Sequence, residues 1–330
     1  MSRACCRALW PDATANVYHH ADNQIETGSG GPYAYDLYFC CSANVHQGWP
    51  KFVFSAVHLQ ETGSTIVISG YSPTVSTLSD GRVVTISGSY PFSDVATVSI
   101  NQASKLRLRV PCWVEGASIT IAGGATYHAP PCQFFNLTLR GAATLNVSFV
   151  NKIRLYEWKP SKLDGQALIA GGGVEVHRGP LVYSLRPEST VTSNPKMGGQ
   201  SQPYPQSLPG GAAGGWPTIM KHQVTIAENA SWNYALDVSS LTFETLSPTA
   251  LPNVPFAVDK PPPLQIRAKA KRVPTWTTGG GARGIAALPH SPLSSTEPLE
   301  EVVLVPRGAT NIRGARCPPL CVLAPLLSAM

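Results

Sequence analysis

A chain of 330 residues with only 13% charged and 43% hydrophobic side chains is no disordered polyelectrolyte, and it is long enough for two domains with cores of their own. The formal charge of +6 is spread over 25 scattered lysines and arginines, which argues against a nucleic-acid surface. The 29 glycines and 30 prolines follow no period, a composition that disfavours long helices and suits short strands joined by turns.

In chain order, residues 1–11 place Arg3 and Arg7 around Cys5 and Cys6 without a continuous apolar stretch, so they do not read as a signal peptide. Residues 44–58 predict a helix with Asn44 as its cap and Phe52, Val53, Ala56 and Val57 along one side, its start made irregular by Gly48 and Pro50. From 65 to 150 the period is two. Segments 65–69, 75–78, 82–87, 105–110, 118–122, 134–139 and 144–150 read as strands, with Asp80 and Gly81 in a tight hairpin turn. Such regular short strands with turn signals between them indicate a sandwich.

Residues 174–185 predict two strands meeting at Gly179 and Pro180, and 190–217 read as a long Ser, Gly, Pro and Gln loop. Strand signals resume at 223–226, 234–238, 241–246, 264–270 and 302–305. Within 264–270, Arg267 and Lys269, with Lys271 beyond, share one face and Ile266, Ala268 and Ala270 the other, which predicts a solvated face. The tail 317–330 is apolar but short and broken by Pro318, Pro319 and Pro325, so no membrane span is expected.

The eight cysteines do not have the spacing of a small disulfide scaffold. Cys112 and Cys132 stand alone in strand-like contexts and read as small buried hydrophobes. Cys40 and Cys41 are neighbours in an irregular stretch. Their residues alone allow an unreactive vicinal pair or two thiolate ligands of one metal ion. Asn136, Asn146 and Asn229 head glycosylation sequons, which matter only if the protein enters a secretory pathway. His19, His20 and His46 lack partners at ligand spacing and read as surface residues. Trp49, Trp113, Trp158, Trp232 and Trp276 suit core or inter-domain packing better than sugar stacking. Glu300 and Glu301 are adjacent on a strand and therefore on opposite faces, so they cannot flank one glycosidic bond.

The run from Tyr38 to Phe52, YFCCSANVHQGWPKF, resembles the cysteine-pair motif of glycoside hydrolase family 127, the β-L-arabinofuranosidase-like proteins. Five further runs follow in the family's order: LRLRVPCW from Leu106, VEVHRGPLVYSL from Val174, WNYALDV from Trp232, AKAKRVPTW from Ala268 and LVPRGATNIR from Leu304. The resemblance implies an (α/α)6 barrel bearing the active site, followed by β-sandwich domains. It further implies a zinc ion held by a Glu, a Cys and the cysteine pair, with Cys40 as the nucleophile of retaining hydrolysis and Cys41 as the remaining thiolate ligand. The implied partner is an arabinose-containing glycan or oligosaccharide. No Glu-x-Cys occurs in the sequence, and Glu26 is the sole glutamate before Cys40. The expectation is thus a mostly β protein. It comprises a barrel remnant over 1–58, a first β-sandwich domain over 59–160, a second β domain over 161–316 and an unstructured tail over 317–330. In function it would be a partial glycoside hydrolase, inactive as this chain alone. The alternative is a non-catalytic β-sandwich module that binds carbohydrate or supports domain contacts.

Overall fold

The structure is a computed structural model. It describes residues 7–9, 16–18, 48–60, 63–157, 159, 161–163, 166–169, 172–186, 189–194, 221–226, 232–246, 251, 262–276, 278–279, 284–285, 291–307 and 322–325. The molecule is mostly β. A ribbon of β1 (Arg7–Leu9) and β2 (Asn16–Tyr18) comes first, then helix α1 (Gly48–Ala56), which runs directly into β3 (Val57–Leu59). The strands that follow are β4 (Thr65–Ile68), β5 (Thr74–Thr77), β6 (Val83–Gly88), β7 (Val95–Ile100), β8 (Ser104–Val110), β9 (Ala117–Ile121), β10 (Thr126–Ala129), β11 (Gln133–Leu139) and β12 (Ala143–Phe149).

These strands make two layers, a six-stranded sheet in the order β10-β9-β12-β7-β6-β5 and a four-stranded sheet in the order β11-β8-β4-β3. Their apolar faces meet in one core, where Ile66, Ile68, Leu106 and Leu108 of the smaller sheet pack with Val84, Val98, Ile119 and Leu145 of the larger. Each fully buried side chain of this size contributes about 1.5–3 kcal/mol. Period-two patterning produces this directly: in β8, Ser104, Leu106, Leu108 and Val110 are buried while Lys105 is exposed and Arg107 and Arg109 are half-buried. β4 and β8 pair in parallel, so the chain leaves the small sheet after β4, builds β5, β6 and β7 in the large one, and returns. The β5–β6 turn is wider than two residues. Thr77 faces Val83 in register, Leu78 N–H donates to Arg82 O at 2.9 Å, and Gly81 takes a φ of 83° that its missing Cβ permits.

The second unit contains β13 (Ile153–Glu157), β14 (Ser161–Leu163), β15 (Gln166–Ile169), β16 (Val174–Arg178), β17 (Leu181–Leu185), β18 (Ser189–Asn194) and β19 (Lys221–Ile226). It continues through β20 (Tyr234–Thr245), β21 (Leu264–Arg272), β22 (Thr278–Gly279), β23 (Gly284–Ile285), β24 (Leu299–Pro306) and β25 (Val322–Pro325). A seven-stranded sheet runs β13-β16-β17-β24-β21-β20-β25, and β25 also pairs with β16, so the sheet rolls round a core of Val176, Tyr183, Leu236, Ile266 and Leu304. β14–β15, β18–β19 and β22–β23 are separate two-stranded ribbons.

Five expectations change here. The step between units falls at residues 150–152 instead of 160, because β13 hydrogen-bonds to β16 of the second sheet. β3 belongs to the first sandwich, being paired with β4. The expected loop 190–217 starts inside β18, whose Ser and Thr residues pair with β19. The expected unstructured tail contributes β25, which a proline-broken apolar run does not announce but which fills the gap between β16 and β20. The strands expected at 234–238 and 241–246 are one bent strand. Asp237 bends it by accepting hydrogen bonds from Ser239 N (3.0 Å) and Ser239 Oγ (2.6 Å), and the register to β21 shifts there.

Candidate functional site

Cys40 and Cys41 lie outside the described residues, as do His19, His20, Glu26, Asn44 and His46. The part of their run that is described is α1. Six residues separate Cys41 from Gly48, seven steps with a reach of at most about 25 Å. α1 begins with Pro50 in its first turn, where a missing N–H costs nothing, and Ser55 Oγ donates to Lys51 O at 2.7 Å. Its end is pinned to the sandwich: Ala56 O accepts from Ser69 N–H (2.8 Å) and Gly70 N–H (3.3 Å), and Ala56 and Val57 are buried. The helix is shorter than 44–58 because the backbone becomes extended at Val57 and joins β4. Phe52 and Val53, expected on the packed side, are about half exposed (52% and 49%), and Phe54 is 79% exposed. The described part of the segment thus joins the edge strand of the small sheet through Ala56 and Val57 and leaves Phe54 largely exposed.

The run LRLRVPCW is β8 and its exit. Cys112 and Cys132 are not buried hydrophobes: both are exposed, and they form a disulfide with Cα atoms 4.2 Å apart. β8 and β11 pair antiparallel with Gln133 opposite Val110, so the two cysteines lie just beyond the same end of the pair. Cys132, after Pro130 and Pro131, takes a φ of 62° as it enters β11. Arg109 lies over the Trp113 ring at 5.2 Å and donates to Ser69 O at 3.4 Å. Tyr71 donates to Arg109 O at 2.9 Å and meets Tyr90 and Phe149 edge-on. Burial pushes the Tyr71 and Tyr90 hydroxyls up, so both stay neutral phenols at physiological pH.

The run VEVHRGPLVYSL is the β16–β17 hairpin, turned at Gly179 with φ 58°. Arg178 clamps Asp94 of the first sandwich with two hydrogen bonds, Nη1 to Oδ1 at 3.0 Å and Nη2 to Oδ2 at 2.5 Å. Asn151 Nδ2 donates to the same carboxylate at 2.9 Å, and the guanidinium sits 3.6 Å over the Phe243 ring. Close by in sequence, Arg154 of β13 donates to Cys112 O, Val114 O and Glu115 Oε1 of the first sandwich at 3.0, 3.1 and 2.7 Å. On the outer face of β16, His177 Nε2 and Glu175 Oε2 are 3.0 Å apart, and Tyr156 meets the imidazole edge-on at 4.5 Å.

WNYALDV and AKAKRVPTW form one joint. Asn233 Nδ2 donates to Val273 O (2.9 Å) and Trp276 O (3.0 Å), and Trp232 and Trp276 meet edge-on at 5.2 Å. The basic face of β21 is interleaved with carboxylates: Arg267 pairs with Glu244 at 2.8 Å and with Glu301. Hydrogen bonds from Gln265 and then Arg267 hold the Glu244 carboxyl below the ordinary carboxylate range. Glu300 and Glu301 point to opposite sides, Glu300 accepting from Tyr234 Oη at 2.8 Å. Of LVPRGATNIR, Leu304 and Val305 are core residues, and 308–313 lie outside the described residues.

Among the described residues no group of three or more His, Cys, Asp or Glu side chains could hold a metal ion, and no helix is long and apolar enough to cross a membrane. The five later runs thus supply cores, a strand staple and the joint between units; sequence reading missed Asp94, Asn151 and Arg154, which carry that joint.

No protein-family model matches the chain, and no curated protein matches it significantly. Solved structures do. One described as a glycoside hydrolase is 17% identical with a TM-score of 0.47, covering 88% of this chain. A GH127 β-L-arabinofuranosidase from Geobacillus stearothermophilus T6 is 16% identical with a TM-score of 0.49, and a GH127 β-arabinofuranosidase is 14% identical with the same score, each covering 93% of this chain. The chain spans 42% of the length of each of these structures.

Proposed function

We propose that this chain is the C-terminal portion of a family-127-like glycoside hydrolase that releases terminal β-L-arabinofuranose, and that it is inactive by itself. The observation that supports this is the order of the runs: a Cys-Cys, Asn, Gln-Gly-Trp-Pro-Lys-Phe block leads into a helix fixed to a sandwich edge, and five further blocks build the β units behind it. In this reading Cys40 is the nucleophile of retaining hydrolysis, and Cys40 and Cys41 are two of four zinc ligands.

The residues present do not complete that site. Two thiols are half of a four-coordinate shell, the sequence holds no Glu-x-Cys, and no cluster among the described residues supplies the rest. No hydrolytic step is therefore routed through this chain. The missing acid/base group alone is commonly worth about 10²–10⁴ in rate. A non-catalytic carbohydrate-binding module is less favoured, since Trp113, Trp232 and Trp276 are engaged with Arg109 and with each other.

Two measurements test the proposal. The chain alone should release no sugar from an aryl β-L-arabinofuranoside, and turnover by it would overturn the assignment. A longer polypeptide carrying an upstream barrel with Glu-x-Cys should bind zinc stoichiometrically and lose most of that binding in C40S and in C41S. Unchanged zinc uptake in both variants would remove the pair from the site.

A further inference from the structure

Asn136 lies on β11, one of three sequon asparagines in the chain, and its surroundings differ from those of the others. β11 alternates Phe135, Leu137 and Leu139 toward the core with Phe134, Asn136 and Thr138 outward, and all three outward residues are exposed. The acceptor amide, the hydroxyl of its sequon and an aromatic ring therefore stand in one row. Neighbours on that row are two strand steps apart, about 6.6 Å. A sugar ring linked to Asn136 would project toward Phe134, whose ring also lies 4.9 Å from the guanidinium of Arg107, the cross-strand partner of Asn136. Stacking of a pyranose C–H face on an aromatic ring buries apolar area on both partners. Asn146, by contrast, accepts from Thr97 Oγ1 at 3.0 Å on a sheet face of Ser and Thr residues, and Asn229 lies outside the described residues.

An independent feature adjoins the same strand. Cys132, the residue before β11, is bonded to Cys112, and exposed structural disulfides persist in oxidising compartments, where N-glycans are also added. We propose that Asn136 is an N-glycan acceptor, with the first sugar packed on Phe134, in a protein that folds in an oxidising, glycosylating lumen. In the transfer, Asn136 Nδ2 forms a bond to C1 of a lipid-pyrophosphate-linked oligosaccharide. The C1–O bond to pyrophosphate breaks, the amide loses one proton, and the lipid pyrophosphate leaves.

The test is translation of the full chain behind a cleavable secretion signal with microsomes, read as endoglycosidase-sensitive mobility steps. N136Q and T138A should each lose one step relative to wild type, and an unchanged number of steps in both would overturn the acceptor. This readout does not depend on final folding. On the secreted protein, a non-reducing peptide map should recover Cys112 linked to Cys132, and recovery of both as free thiols would overturn the compartment. Enzymatic deglycosylation should lower the melting temperature of wild type and not that of F134A; an equal drop in both would remove Phe134 from the packing.

Discussion

Gly172 has no room for a β-carbon. With a φ of +75°, an added Cβ would stand 2.4 Å from the carbonyl oxygen of Ser291, which belongs to the segment leading into β24. Gly172→Ala must therefore move backbone on one side or the other and pay for the left-handed conformation, a destabilisation of about 2–4 kcal/mol measurable by urea unfolding. Tyr71 makes the opposite argument, because its hydroxyl can be removed without a clash. Tyr71→Phe leaves Arg109 O without its donor and should cost about 1 kcal/mol. The buried phenol also sets a pH limit. Its folded pKa lies above the ordinary value of 10.0, so the stability it supports is complete below about pH 10 and declines above. The alkaline limb of a stability profile should be shallower in Tyr71→Phe than in wild type.

At the scale of elements, the β8–β11 pair is closed at one end by the Cys112–Cys132 bond, which encloses a chain separation of 20 residues containing β9 and β10. By loop-closure entropy such a crosslink is worth about 3 kcal/mol, acting chiefly on the unfolded chain. Cys112→Ser with Cys132→Ser should lower the unfolding free energy by that amount with the strands intact by circular dichroism, and reductant should do the same to wild type and nothing to the double variant. α1 is an element of another kind. Its C-terminal end is fixed to the sandwich through Ala56 and Val57, and nine residues are too few for a helix to be stable by itself.

At the scale of the molecule, two arginines tie the units together. Arg178 and Asp94 are both partly shielded, with side chains 13% and 33% exposed, so Arg178→Ala should cost about 1–3 kcal/mol, between the values for surface and buried pairs. The expected signature is a separation of one melting transition into two as the second sheet loses its hold on the first. Glu115 receives Arg154 and Lys152, whose hydrogen bonds hold its carboxyl below the ordinary range. Because the folded pKa is depressed, this contribution is present above about pH 4 and lost as pH falls through the folded value. Acid should loosen the joint, and Glu115→Gln at neutral pH should reproduce part of that loosening in the Arg178→Ala background.

The sequence by itself determined the period-two strands between Thr65 and Val150 except β7 and β10, the β16–β17 turn at Gly179, the two faces of β21 and the cysteine-pair block. Each of these is written in neighbouring residues, where a side-chain period of two or a run of adjacent letters is enough. Only the tertiary structure decided that Cys112 meets Cys132, that Asp94 meets Arg178 across 84 positions, that β13 joins the second sheet and that β25 completes it. Partners of that kind are chosen by sheet register and by the order in which layers stack, and a single strand's pattern specifies which face turns inward without specifying which strand lies beside it.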